Sequence, residues 1–250
     1  MVSDMAQAGG GAARLEVSVV IPAYNEEEVI EPCVREVMDV LRATGKPFEV
    51  IVIDDGSRDR TREILKGLRP GMPELVIIGF KGNHGETAGW DAGFKAARGA
   101  AVVTIDADMQ NDPHDIPQLL ELIGRYDVVS GYRRKRNDSI VRRISSRIAN
   151  WTRNKMTHDQ VRDVGCSLRA IRRECLKDLK LYKGMHRFLP TLLKYDGCTT
   201  TEIPVNHRPR LLGKSKYGIG NRLFRGIRDL MAVRWMRSRW LSYEIEERVE

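Results

Sequence analysis

Short runs of aliphatic and β-branched residues recur along the first half of the chain, each separated from the next by a stretch with helical spacing. Residues 17–21 form a run that is β-branched and apolar except at Ser18, the pattern of a strand buried on both faces. Across residues 27–43, Val29, Ile30, Cys33, Val37 and Leu41 recur on one side of a predicted helix. Residues 48–53 predict a second strand, and residues 59–68 a helix with Ser57 or Asp59 at its N-cap. A third strand is predicted over residues 75–79, a helix over 87–98 ending near Gly99, a fourth strand over 101–105 and a fifth over 127–130. Strands alternating with helices over this length predict a parallel, Rossmann-like α/β sheet.

After Gly131 the pattern changes. The basic run 133–136 precedes a helical stretch with Val141, Ile144, Ile148 and Trp151 on one face and Arg142, Arg143, Arg147 and Arg153 around it. Residues 164–169 and 199–205 predict two more strands, and residues 211–220 a loop rich in Gly, Lys and Ser. The last helix, over 221–240, carries Leu223, Ile227, Leu230, Met231 and Trp235 among many arginines. A basic amphipathic helix either packs its stripe on the sheet or lies in the headgroup region of an acidic membrane. For residues 141–151 both readings stand open. For residues 221–240, where Trp235 and Trp240 accompany Arg234, Arg237 and Arg239, membrane contact or a subunit interface is the expectation.

Composition narrows this picture. With 250 residues, 42% hydrophobic and 30% charged, the chain is an ordinary globular one. A net charge of +8 predicts an anionic partner: nucleotide, phosphorylated lipid, acidic membrane or nucleic acid. No helix-turn-helix, zinc finger or aromatic strand platform is visible, which argues against nucleic acid. Cys33, Cys166, Cys175 and Cys198 form no C-x-x-C pair, and residues 1–14 carry no apolar core of a secretory signal. Reduced thiols and a cytoplasmic location are therefore expected. No apolar run approaches the roughly 18 residues of a membrane span.

Three polar clusters stand at predicted strand ends: Pro22-Ala23-Tyr24-Asn25-Glu26, Asp54-Asp55-Gly56-Ser57 and Asp106-Ala107-Asp108-Met109-Gln110. Parallel strands end on one side of a sheet, so the clusters are expected to converge on one crevice. Asp106 and Asp108 would repel each other without a cation between them. Their hard oxygens, with Gln110 as a third ligand, suit Mg²⁺ or Mn²⁺, and such an ion would bridge a donor diphosphate.

These motifs, in this order, resemble the signature of glycosyltransferase family 2, and within it the polyprenyl-phosphate glycosyltransferases of the dolichyl-phosphate mannosyltransferase kind. The resemblance runs from about Val17 to Tyr217. It implies a GT-A fold and an inverting, metal-dependent transfer from a GDP- or UDP-sugar to a polyprenyl phosphate, with the enzyme peripheral at the inner face of the membrane. By the same resemblance Pro22, Tyr24 and Glu26 meet the nucleoside, Asp54 or Asp55 the base, and Asp106, Asp108 and Gln110 the metal and diphosphate. On the acceptor side Gly131-Tyr132-Arg133 resembles the family's strand end, and Arg142 with Ser146 its phosphate pair. The segment from Arg210 to Tyr217, with Ser215 and Lys216, resembles a loop carrying a catalytic Arg. Asp108, Arg133, Arg142 and Arg210 are the implied catalytic set. The chain then divides into a tail (1–14), a GT-A domain (15–220, with a donor half to 130 and an acceptor half from 131) and a basic C-terminal helix (221–250). Chemistry agrees on the arginines. A lipid monophosphate is already anionic near neutral pH, so it needs orientation and charge shielding more than a general base. Arg supplies bidentate phosphate recognition and keeps its proton.

Two departures from the family and one further acidic match stand out. His84-Gly85-Glu86-Thr87 occupies a place where relatives carry Lys or Gln, and Glu86 either contacts the sugar or caps a helix. Asp163 matches an acidic position that faces the sugar, and would be the base if the acceptor were a sugar or protein hydroxyl. C-terminal membrane spans are missing from this sequence. Two other classes remain as rivals, a sugar nucleotidyltransferase and a non-enzymatic basic binding protein, and a homo-oligomer is open.

Overall fold

The computed structural model describes residues 15–133, 152–157, 159–209, 220–241 and 246–247, leaving aside the side chains of 220–225. Seven strands form one mixed sheet in the order β3-β2-β1-β4-β6-β5-β7. They are β1 (Val17–Ala23), β2 (Phe48–Asp54), β3 (Leu75–Gly79), β4 (Ala101–Thr104), β5 (Val128–Arg133), β6 (Arg169–Arg172) and β7 (Thr200–Val205). β1 runs parallel to β2 and β4, and β2 to β3. β6 runs antiparallel to both β4 and β5, and β7 parallel to β5, so one sheet continues across residue 131.

Among the described residues the complete α-helices are α1 (Ile30–Ala43), α2 (Thr61–Leu68), α3 (Glu86–Ala96), α4 (Ile116–Leu122), α5 (Leu189–Tyr195) and α6 (Gly220–Ser238), and residues 152–157 are also helical. Alternation along β1 explains the layering. Val17, Val19 and Ile21 face α1 through Val34, Val37 and Leu41, while Val20 faces α3 through Trp90 and Phe94. α3 lies close enough that a Cβ on Gly93 would stand 2.2 Å from Val20 Cγ1, so only glycine permits this approach.

β6 differs from the strand predicted over residues 164–169 and shares only Arg169 with it. Residues 163–166 turn back on themselves: the Gly165 N–H donates to Asp163 Oδ1 at 3.1 Å and the Cys166 N–H to the Asp163 carbonyl at 3.4 Å. The apolar stripe read along the last helix also divides. Leu230 and Val233 pack on Met185, Phe188 and Leu192, whereas Ile227, Met231 and Trp235 are 45%, 59% and 64% exposed. Trp240 stacks edge-on against Tyr195 at 5.7 Å. Among the described residues no helix is long and apolar enough to cross a membrane.

Candidate active site

The loops after β1 and β2 are stitched together by backbone-to-side-chain hydrogen bonds. Asn25, held at φ 51°, donates its N–H to Ser57 Oγ at 2.9 Å and accepts the Arg58 N–H at 2.8 Å. The Glu26 N–H donates to Thr61 Oγ1 at 2.8 Å, and the Asp55 N–H to the Ala23 carbonyl at 2.8 Å. Pro22, Tyr24 and Glu26 are left partly exposed on the surface so formed.

The two acids of the second cluster shape this rim from below. Asp54 is fully buried, accepts the Ser57 N–H at 3.0 Å and pairs with Arg62 Nε, while Arg62 Nη2 donates to the Phe80 carbonyl at 2.6 Å. Asp55 accepts from the N–H groups of His84 (2.7 Å) and Gly85 (2.8 Å) and from Asn83 Nδ2 (2.9 Å). It thereby fastens the loop that feeds α3. Gly56, at φ 70°, passes so close to Gly82 that a Cβ would stand 2.4 Å from its carbonyl carbon.

The third cluster follows β4 through a turn at Met109 (φ 58°), with the Gln110 N–H donating to Asp108 Oδ1 at 3.1 Å. Parallel pairing of β1 with β2 and β4 sets the three clusters at one edge of the sheet, and charges from the first and third act on the buried Cys33 thiol. Burial first, and then the charges of Asp108, Glu36, Asp106 and Glu26, together push this thiol up to about 12. Residues from the ends of β1 and β4 thus act on one buried atom. Asp106 itself is raised to about 7, by burial first and then by Glu86 and Asp108; a hydrogen bond from Ser167 and the charge of Arg169 oppose the shift. A partly buried carboxylate whose charge is disfavoured by two neighbouring acids is chemically suited to a hard cation.

On the acceptor side Arg133 is committed to Asp163, Nε to Oδ2 at 2.6 Å and Nη2 to Oδ1 at 2.8 Å. Arg142, Ser146, Arg210, Ser215 and Lys216 lie outside the described residues. The chain leading toward Arg210 is described and is tied to the Asp106–Gln110 loop. Asn206 binds Asp115 through its N–H (2.7 Å) and side chain (3.0 Å), Asn111 bridges His207, and the Arg208 N–H donates to the Gln110 carbonyl at 2.8 Å. Glu36, Asp112 and His114 lie close enough together to share a cation. The Arg208 guanidinium already fills that role, donating to Glu36 at 2.7 and 2.8 Å and to Asp112 at 2.7 Å.

The sequence reading missed Arg169, Ser167 and His186. Arg169 opens β6 opposite Thr104, is 5% exposed, and its Nε is buried without a hydrogen-bond partner. Burial lowers its affinity for the proton, against the charges of Cys166, Asp106, Asp163 and Glu86. Glu86 stands in the first turn of α3, where its charge suits the helix dipole, but Gly85 is the N-cap and no side chain caps the helix. The Glu86 carboxylate instead meets His186 Nε2 at 3.4 Å and Trp90 Nε1 at 3.5 Å. Only a folded chain brings these residues together, so no local motif announces them.

The sequence signature of Glycosyl transferase family 2 matches residues 18–180. The chain is 39% identical over 206 residues to the undecaprenyl-phosphate 4-deoxy-4-formamido-L-arabinose transferase of Edwardsiella ictaluri, covering 81% of this chain and 63% of that protein. It is 38% identical over 226 residues to the dodecaprenyl-phosphate galacturonate synthase of Rhizobium johnstonii, covering 88% and 66%. The chain thus spans less than two thirds of the length of these curated relatives. In fold it is similar to glucosyl-3-phosphoglycerate synthase of Mycobacterium tuberculosis, solved with Mn²⁺, UDP and phosphoglyceric acid, at a TM-score of 0.65 and 20% identity, covering 89% of this chain and 78% of that one. With the signature laid over β1 to β6 and all three acidic clusters inside it, the chain belongs to glycosyl transferase family 2.

Proposed function

We propose that this chain is a metal-dependent, inverting glycosyltransferase that moves a sugar from a GDP- or UDP-sugar to a polyprenyl phosphate at a membrane surface. The observation that supports the reading is the parallel pairing of β1 with β2 and β4, which brings the ends of these strands to one edge of the sheet, with Asp106 raised to about 7 by burial and by the charges of Glu86 and Asp108. Asp106, Asp108 and Gln110 would hold Mg²⁺ or Mn²⁺, which supplies charge neutralisation for the departing nucleoside diphosphate. Pro22, Tyr24 and Glu26 form the nucleoside surface, with Asp54 and Asp55 holding its floor and its flanking loop in place. Arg133 orients the acceptor phosphate, a task the sequence also assigns to Arg142, Ser146, Arg210, Ser215 and Lys216. The phosphate oxygen attacks the anomeric carbon, the bond to the diphosphate breaks, and one displacement inverts the centre.

The relatives' names, which couple polyprenyl phosphates to sugars, support the acceptor class. The alternative of a hydroxyl acceptor with Asp163 as base has less support, because Arg133 occupies both Asp163 oxygens. Incubation with Mn²⁺, a panel of GDP- and UDP-sugars and undecaprenyl phosphate tests the reading. A glycosyl phospholipid plus free nucleoside diphosphate is expected; release of pyrophosphate, or transfer only to sugar hydroxyls, would reject it.

A further inference from the structure

The chain leaving β7 clamps the loop that follows β4. The Asn206 N–H donates to Asp115 Oδ2 at 2.7 Å, His207 forms an antiparallel bridge with Asn111, and the Arg208 N–H donates to the Gln110 carbonyl at 2.8 Å. The Arg208 side chain fastens this clamp to a third element. Nη1 and Nη2 donate to Glu36 Oε2 and Oε1 on α1 at 2.8 and 2.7 Å, and Nη2 also donates to Asp112 Oδ1 at 2.7 Å. Asp112 Oδ1 in turn accepts the His114 N–H at 3.1 Å, which fixes the single turn leading into α4. Glu36, Asp112 and His114 place ligand atoms within 4.8 Å of one another, so the guanidinium offsets two neighbouring acids that would otherwise repel. Met109, Glu36 and His114 also border a groove of about 1040 Å³, lined from α1 by Val40 and from α4 by Leu120. Along this face the loop carrying Asp108 and Gln110 meets open space rather than a packed layer, and its position depends on polar ties.

We propose that Arg208 is a positioning residue of the metal loop, holding Asp108 and Gln110 in ligand geometry before a cation arrives; this rests on the donor reading above. Its N–H fixes the peptide of Gln110, its guanidinium fixes Asp112 two residues on, and Glu36 anchors both to the helix that follows the nucleoside motif. A loop fixed in advance loses less freedom when the ion binds. Groups that hold metal ligands in place are worth about 10–100-fold in metal affinity. Lysine would keep the charge but not the planar fork that reaches Glu36 and Asp112 together.

Calorimetry of UDP and of GDP at stepped Mn²⁺ concentrations gives the Mn²⁺ needed for half-maximal nucleotide binding, and melting temperatures are recorded alongside. Arg208→Met is expected to raise that Mn²⁺ requirement about tenfold, while nucleotide affinity at saturating Mn²⁺ stays within about twofold of the wild type. Arg208→Lys and Glu36→Gln, which each keep part of the tie, are expected to raise it about threefold, and they carry the test if Arg208→Met does not fold. Arg98→Met is the control for a loss of stability alone. Arg98 pairs with the buried Glu49 at 2.9 and 2.6 Å, at the opposite end of β2 from Asp54. Its removal should lower the melting temperature at least as far as Arg208→Met does and leave the Mn²⁺ requirement within about twofold. A requirement unchanged in all the Arg208 and Glu36 variants, or one that rises equally in Arg98→Met, overturns the positioning role. Wild-type protein that binds neither nucleotide with Mn²⁺ overturns instead the donor reading on which it rests.

Discussion

Arg133 and Asp163 form a two-pronged ion pair, with Nε–Oδ2 at 2.6 Å, Nη2–Oδ1 at 2.8 Å and side-chain exposures of 15% and 7%. The Arg133 N–H also donates to Asp163 Oδ2 at 3.2 Å. Breaking a buried pair by removing one partner strands the other charge, at about 3 kcal/mol or more. Asp163→Ala is therefore expected to destabilise by roughly that amount, as Arg133→Met does, and the double variant to lose less than the sum. Urea denaturation checks it. Transfer to undecaprenyl phosphate should fall in both single variants, because Asp163 aims the arginine. Activity that survives Arg133→Met but vanishes in Asp163→Asn would instead mark Asp163 as a base.

Asp106 gives a pH dependence with a defined sign. Its folded-state value, about 7, lies above the ordinary 3.8, so the folded protein keeps this proton where the unfolded chain has lost it. The metal-free protein is thus expected to lose stability as pH rises from about 4 to about 7. A divalent ion binds the ionised carboxylate, so apparent Mn²⁺ affinity should rise about tenfold per pH unit below about 7 and level off above it. Mn²⁺ titrations followed by thermal shift from pH 5.5 to 8 measure both trends, and Asp106→Asn should abolish them. Affinity that is flat across this range would remove Asp106 from the metal site.

The buried Asp54–Arg62 pair carries a third expectation. Asp54 has no exposed surface, and Arg62 is its cationic partner as well as a clamp on the Phe80 carbonyl. Arg62→Met leaves a buried carboxylate uncompensated, at about 3–5 kcal/mol, and frees the chain between β3 and α3. Nucleotide binding should weaken along with stability. Arg60→Met, two residues away and with its side chain paired across solvent to Glu63, should cost less than about 1 kcal/mol.

How much of this was legible beforehand depended on range. β1 to β5 announce themselves because strands in the middle of a sheet read as largely aliphatic, β-branched runs broken by single polar residues such as Ser18 and Glu49, and β3 falls on residues 75–79 as predicted. The acidic rim was legible for the same reason: each cluster follows such a run, and strand direction does the rest. α4 and α5 escaped notice, being seven residues each with proline in the first turn, too short to establish a period. β6 was displaced because Val164 to Leu168 looks apolar, yet Asp163 turns that segment, and the true strand alternates Arg, Ala, Ile and Arg. The Glu86–His186 contact had no local signal, since Thr87 and His186 are 99 residues apart. Arg133 was expected on the acceptor side from its motif, whereas its bond to Asp163, 30 residues on, had no local signal.

The exposed side of α6 supplies the last expectation. Leu230 and Val233 fasten the helix to α5 and the turn before it, which leaves Ile227, Met231 and Trp235, spaced four apart, on the outside. Arg228, Arg234 and Arg239 flank that stripe. An apolar stripe bordered by arginines suits the interface of an anionic bilayer, where each large side chain contributes about 1.5–3 kcal/mol on burial. Vesicles of phosphatidylcholine with a third phosphatidylglycerol should therefore carry the protein in flotation, less so at high salt. Met231→Ser with Trp235→Ser should weaken that binding by about tenfold or more, while the thermal shift given by Mn²⁺ and nucleotide stays unchanged, because neither residue belongs to the core. The competing occupant is a second copy of the chain. If sedimentation without lipid shows a dimer that the same two substitutions dissociate, and flotation is indifferent to them, the stripe is a subunit interface and the lipid reading fails.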